Sequence, residues 1–286
     1  MVLESLISPA RAEKEPWEMF FVGILYSSIA VFLSLYLFGG SETSLVLVFL
    51  TVMACSILMY NTLKLEEKQD IKLRKETKLL KHHSRALSFF IFLFLGFVVS
   101  FALWYVFLPE QIPQKVFQSQ ISTINQINNP LNQGTGMIVG SQAFFKILLN
   151  NVKVSFFSLF FSFFYGLGAI FILTWNASVV GVATGIYIRN LLNMAFAKTG
   201  FISLSVYFSS ISVGLFRYMI HGIPEIAAYF ISGLAGGIIS VAVINKKSNN
   251  QEMIQVLKDA GWLFLISLVI LVIAAFLEVY VTPMIL

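Results

Sequence analysis

Arg217, His221 and Glu225 stand four residues apart in an otherwise apolar stretch. On one continuous helix they would share a face, with the imidazole between a guanidinium and a carboxylate. Such a set has three uses: a capped helix start, a proton or ion relay at membrane depth, or, less completely, a metal or catalytic site. One His and one Glu fall short of the three protein ligands usual at a catalytic zinc. Gly222 and Pro224 interrupt the ladder, so the spacing predicts a break. One helix should end near His221 and the next start near Ile223, with Pro224 in its first turn and Glu225 beside the positive helix end, held by Arg217 or His221. Lys153, Arg189 and Glu278 are further ionisable groups among apolar neighbours. Each costs at least about 2.5 kcal/mol in lipid unless it is paired or hydrated.

No other set of residues offers chemistry. No nucleophile is accompanied by a base, and there is no phosphate-binding loop, dinucleotide fingerprint or internal repeat. Cys55 is the single cysteine, inside an apolar stretch, which excludes a disulfide framework and any multi-cysteine metal site. His82 and His83 are adjacent and would point in different directions on a helix. The expectation is a protein that is not an enzyme, with no catalytic residues, no cofactor and no metal.

The elements that must carry these groups follow from composition. Of 286 residues, 58% are hydrophobic and only 12% charged, against about 25% in soluble domains. Twenty-nine Phe and a mean hydropathy of +0.84 exceed what one globular core could bury. The fold class is therefore all-α and polytopic, in a lipid bilayer. Uncharged runs place crossings at Met19–Gly40, Leu45–Tyr60, Ala86–Leu108, Val154–Trp175, Phe201–Phe216, Ile226–Asn245 and Gly261–Leu277, about seven transmembrane helices. The first has too long a core and too acidic a leader for a cleavable signal and reads as a permanent anchor.

Eight of the nineteen basic residues lie between Asn61 and Arg85, so the net charge of +5 reflects topology, and nucleic acid is not an expected partner. With that loop cytoplasmic, the N-terminus is cytoplasmic and the C-terminus outside: Lys72 and Lys246 face in, Gln126 and Leu286 face out. Ala177–Ala197, interrupted by Arg189 and Asn190, is then left as a re-entrant or interfacial helix on the cytoplasmic side, with an eighth crossing compensated elsewhere as the alternative. Fifteen basic residues fall inside and four outside on this arrangement.

The Asn61–Arg85 loop has no Pro or Gly and pairs charges at i, i+4, as in Asp70 with Arg74 and Lys72 with Glu76, so it should be helical. It serves as a solvated connector near anionic headgroups or as a partner-docking surface. The outer polar segment, 109–146, is Asn- and Gln-rich. Phe117, Ile121, Ile124, Ile127 and Leu131 recur at helical spacing in it, which suits a helix on the membrane surface, a cap on the crossings or a contact for an extracytoplasmic partner. Two stripes of small residues, Gly233 with Gly237 (Ser232, Gly236 and Ser240 adjoining) and Ala177, Gly181 and Gly185, fit close helix packing, an oligomer interface or a backbone-lined path.

Asn150-Asn151 before an apolar helix, Gly166 and Gly168 within it, Asn176 after it, Gly181 and Gly185 beyond, then His221-Gly222-x-x-Glu225 and a glycine-rich helix together resemble the stage II sporulation protein M family of integral membrane proteins. The resemblance covers roughly Ala86 to Leu286. It divides the chain into an N-terminal helical hairpin with a charged cytoplasmic extension, 1–85, and a five-helix core, 86–286. It implies no established catalytic chemistry and a scaffold that recruits partners acting on the cell wall; with the ionisable groups above, the candidate polar site is Asn150, Asn151, Lys153, Arg217, His221 and Glu225. The sporulation role itself depends on cell type and is not carried over. The expected function is a non-enzymatic, multi-pass cell-membrane scaffold or assembly protein, a homo-oligomer or part of a membrane-protein complex. The alternative is a permease or channel component, possibly with a separate ATPase.

Overall fold

The computed structural model describes residues 15–38, 42–70, 76–128, 136–165, 168–244 and 250–285. Lys72, Lys246, Leu286, Leu131 and Gly166 lie outside them. All regular structure among the described residues is helical: α1 Glu18–Phe38, α2 Thr43–Asp70, α3 Glu76–Phe107, α4 Gln111–Val116, α5 Gln118–Asn128, α6 Gly136–Tyr165, α7 Gly168–Thr199, α8 Leu204–Ile244 and α9 Asn250–Phe276, then a π-helical segment Leu277–Val281 and α10 Thr282–Ile285. Six helices are long and apolar enough to cross a membrane, and α2 adds a shorter apolar stretch, Thr43–Ser56.

The surface is apolar where a soluble protein would be polar. On α1, Phe21, Leu25, Ile29, Leu33 and Tyr36 are exposed at helical spacing, and on α9 so are Trp262, Leu265, Val269, Val272 and Phe276. Such stripes are stable only against acyl chains. The opposite faces bury Met19, Val31, Leu47, Phe89, Leu93 and Phe101 in one cluster, which Val116 and Phe117 close from the α4–α5 turn.

Lipid gives no hydrophobic preference for helix over acyl chain, so small residues and side-chain hydrogen bonds decide which helices touch. α1 crosses α3 at Gly23 and Gly96, where a Cβ on Gly23 would sit 2.5 Å from the Leu93 carbonyl oxygen and 3.1 Å from the Gly96 Cα. Trp104 Nε1 donates to Ser28 Oγ at 2.8 Å two turns further on. α3 packs on α7 at Gly181, against Val98 and Phe101, and at Gly185, against Tyr105. Arg189 then donates to the Val106 and Leu108 carbonyls at 3.0 and 2.7 Å. These are end carbonyls that the α3 helix leaves without partners, and a cation suits its negative pole.

The contacts also fix relative direction. α1, α3 and α7 run the same way, since residue numbers rise together along each contact. α8 runs opposite to α7, with Gly214 against Ile188 and Arg217 over the Tyr187 ring at 4.8 Å. α6 runs with α8 through Asn151–Glu225 and Ser155–Ser232, and α9 runs against α8 through Ser232–Ser267. Among the described residues, α1, α3, α7 and α9 thus run one way and α6 and α8 the other.

Three boundaries differ from expectation. Val154–Trp175 is not one crossing: α6 ends at Tyr165 and α7 begins at Gly168. Ala177–Ala197 is accordingly not a re-entrant helix but the body of the full crossing α7, because Arg189 has found carbonyl partners and no longer forbids a membrane path. That places Arg189 at the Leu108 end of α3, away from the charged stretch at its Glu76 end. The basic asymmetry narrows but keeps its sign. Finally, the predicted break at Gly222–Pro224 is absent. α8 is one helix of 41 residues with Pro224 inside it. Membrane helices tolerate proline where neighbours and local adjustment satisfy the freed carbonyl. Of the predicted helix over Asn61–Arg85, the described parts are helical, α2 running on to Asp70 and α3 starting at Glu76, and residues 71–75 lie outside the described residues.

Candidate functional site

Because α8 is continuous, Arg217, His221 and Glu225 do share one face, as the ladder spacing allows, but they do not pair with one another in the expected way. Asn151 on α6 donates its side-chain amide to the Glu225 carboxylate. Arg217 instead covers the Tyr187 ring of α7, a favourable place for a guanidinium over an aromatic face. His221 is buried, with Tyr218 edge-on at 6.0 Å and Thr282 Oγ1 3.4 Å from its Nδ1.

The π-helical segment supplies the remaining member. Leu277–Val281 widens the end of α9, a distortion common at functional sites, and carries Glu278. Thr282, one turn beyond Glu278, lies 3.4 Å from His221, one turn before Glu225, so the antiparallel register of the two helices sets Glu278 level with Glu225. Thr282 Oγ1 donates to the Leu277 carbonyl at 3.0 Å.

One turn further from Glu225 along α8, three buried hydroxyls meet. Ser155 of α6 hydrogen-bonds Ser232 of α8, Ser232 donates to Ser267 of α9 at 2.8 Å, and Ser155 and Ser267 are 3.3 Å apart. Three helices are thereby joined at one level.

Of the residues singled out in the sequence, Asn151, Arg217, His221 and Glu225 are brought to this region, whereas Asn150 and Lys153 are exposed on the other side of α6. Gly181 and Gly185 sit at tight contacts, as expected of a packing stripe. On α8 the tight glycine is Gly236, against the Leu159 backbone of α6. Gly237 has nothing within 4 Å of where a Cβ would stand, and Gly233 is only part-buried. The contact thus follows the adjoining stripe of Ser232 and Gly236. Missed entirely were Gly23, Gly96, Ser155, Ser158, Ser162 and Ser267. Their signal was available: Asn151, Ser155, Ser158 and Ser162 recur at four, three and four residues on an otherwise apolar helix.

Residues 86–283, which include every member of this cluster, match the family described as Stage II sporulation protein M. The chain belongs to that family. An uncharacterized protein of Methanocaldococcus jannaschii is 34% identical over 141 residues, spanning 48% of this chain and 70% of the relative. No solved structure matches the chain. The family match begins inside α3, so α1, α2 and the charged stretch lie before it, even though α1 packs into the same core through Gly23 and Gly96.

Proposed function

We propose that this member of the stage II sporulation protein M family is a non-enzymatic membrane scaffold that recruits partner proteins through its charged helical hairpin. The observation that carries this reading is the reach of α2 and α3 past their apolar segments. α2 stays helical from Ser56 to Asp70, and α3 starts at Glu76 although its apolar span begins at Ser88. Fourteen helical residues rise about 20 Å, enough to carry α2 well past its apolar segment. Replacing 61–85 with a flexible Gly/Ser linker of equal length should leave the protein inserted and monodisperse while the proteins that copurify from native membranes are lost. Retention of the same partners by the linker variant would defeat the reading.

The permease alternative draws on the buried polar cluster between α6, α8 and α9, and a stoichiometric ATPase among the copurifying proteins would favour it over a wall-active or envelope partner. For sidedness, we propose that the hairpin and the N-terminus are cytoplasmic and the C-terminus is outside, as the Lys and Arg excess demands. In a Cys55→Ser background, an impermeant maleimide added to intact cells should label Gln126→Cys, whose position on α5 is exposed. Labelling only after permeabilisation would reverse the orientation.

A further inference from the structure

Asn151, Ser155, Ser158 and Ser162 are all buried on the face that α6 turns toward α8. From Asn151 to Ser162 the helix rises about 16 Å, half of the roughly 30 Å hydrocarbon core. Glu225, Tyr229 and Ser232 line the facing side of α8, and Ser267 and Glu278 close it from α9 and the π-helical segment. Polar atoms therefore run along the bundle interior for much of its depth, whereas several buried hydroxyls elsewhere among the described residues are turned back onto their own backbones. Ser27 donates to the Gly23 carbonyl, Thr51 to Leu47 and Thr184 to Val180, at 2.6, 2.8 and 2.8 Å. Ser158 does not. Its Oγ is buried without a hydrogen-bond partner among the described residues, one turn past the Ser155–Ser232–Ser267 set. An unpartnered buried hydroxyl costs about 1–3 kcal/mol, and a site of this kind is where a buried water is held.

We propose that Glu225, oriented by Asn151, and Glu278 form a proton-binding carboxyl pair at the head of a proton-conducting stripe of Ser155, Ser232, Ser267, Ser158 and Ser162. The ligand is a proton for two reasons. Two carboxyl groups within electrostatic reach inside a membrane share one proton more easily than both carry charge. Hydroxyls both accept and donate, so each can take a proton on a lone pair while releasing its own to the next oxygen or water, Ser267 by turning its proton away from the Phe264 carbonyl to which it donates at 2.7 Å. A metal ion is less suited, since no group of three His, Cys, Asp or Glu able to hold one occurs among the described residues. The charged and titratable groups around the pair are Arg217, Tyr218, His221 and Tyr229 on α8 and Tyr187 on α7, while Lys153 of α6 is exposed. The guanidinium is engaged with Tyr187, which leaves the carboxyls to Asn151 and to each other. This activity stands apart from partner recruitment, which is read by capture.

The test is proton entry into liposomes of the full-length protein, driven by a potassium–valinomycin potential and read with an internal pH dye. Wild-type protein should acidify the lumen above the rate of empty liposomes, and Glu225→Gln and Glu278→Gln should each lower that rate by about tenfold or more, the scale on which positioned proton-transfer groups act. Ser158→Ala separates relay from architecture. It removes no existing hydrogen bond, so its melting temperature should be unchanged or higher, yet its proton rate should fall several-fold. If either Gln variant fails to fold, Ser158→Ala still decides. A wild-type rate equal to empty liposomes, or a Ser158→Ala rate equal to wild type, would overturn the proposal.

Discussion

Leucine at Gly96 or at Gly236 should abolish recovery of monodisperse protein, while leucine at Gly237 should leave yield and melting temperature near wild type. The reason is what each side chain would meet. A Cβ on Gly96 would stand 3.0 Å from the Gly23 Cα and 3.1 Å from the Ile24 nitrogen, and one on Gly236 would stand 2.9 and 3.1 Å from the Leu159 carbonyl carbon and Cα. These are backbone atoms and cannot rotate aside, so the helices must separate. Separation takes the neighbouring bonds with it: the Ser28–Trp104 contact beside Gly96 and the Ser155–Ser232–Ser267 set beside Gly236. Even alanine at Gly96 should cost about 1–3 kcal/mol, the usual range for overpacking. At Gly237 the Cβ enters open space. The measurement is size-exclusion profile and thermal unfolding in one detergent for all four variants. Equal behaviour of Gly236→Leu and Gly237→Leu would refute a contact running through the Ser232–Gly236 stripe.

That stripe shows where sequence reading stops. Hydropathy was enough for the all-α membrane class, because backbone polar groups in lipid leave few options. It was not enough for boundaries between 136 and 204. That stretch is apolar almost throughout, with Lys146, Lys153 and Arg189 as its only charges before Lys198. A window of helix length therefore fits it in more than one phase, and the reversal at Tyr165–Gly168 carries no charge or proline to mark it. Arg189 looked like a reason to keep α7 out of the membrane only because its carbonyl partners at the end of α3 are 83 and 81 residues away in sequence. Pro224 misled for a related reason: its cost in a water-soluble helix is not its cost where neighbouring helices can adjust around it.

The site was legible in its residue types and not in its pairings. His221-Gly222-x-x-Glu225 pointed to the right turn of α8 and Asn151 to the right face of α6, but nothing local says that an amide rather than a guanidinium meets the carboxylate. Glu278 stood out as an ionisable group in an apolar run, yet only the fold brings the end of α9 beside α8. Ser155, Ser158 and Ser162 were passed over because isolated Ser residues in membrane helices commonly bond their own backbone, as Ser27 does here. Their shared face on α6 is what separates them from that background.

The pairing of Asn151 with Glu225 carries the second large expected effect. Asn151→Ala removes the amide that holds the carboxylate and leaves Glu225 facing Glu278 without that donor, so it should destabilise by about 2 kcal/mol, in the range for hydrogen bonds to charged groups. Glu225→Gln should cost less, because the new amide oxygen can still accept from Asn151. Once Glu225 is alanine, removing Asn151 should matter little, and the double variant should fall short of the sum of the singles by about 1–2 kcal/mol. A parallel cycle between Arg217→Gln and Glu225→Ala should be additive within about 0.5 kcal/mol, since Arg217 rests on Tyr187. Reversible unfolding in mixed micelles gives all four free energies in each cycle. Coupling to Arg217 with none to Asn151 would restore the ion-pair reading of the ladder and remove Asn151 from the site. Coupling to Asn151 with none to Arg217 ties α6 to α8 through the carboxylate, so that any change in Glu225's charge is felt at the helix contact that continues through Ser155 and Gly236.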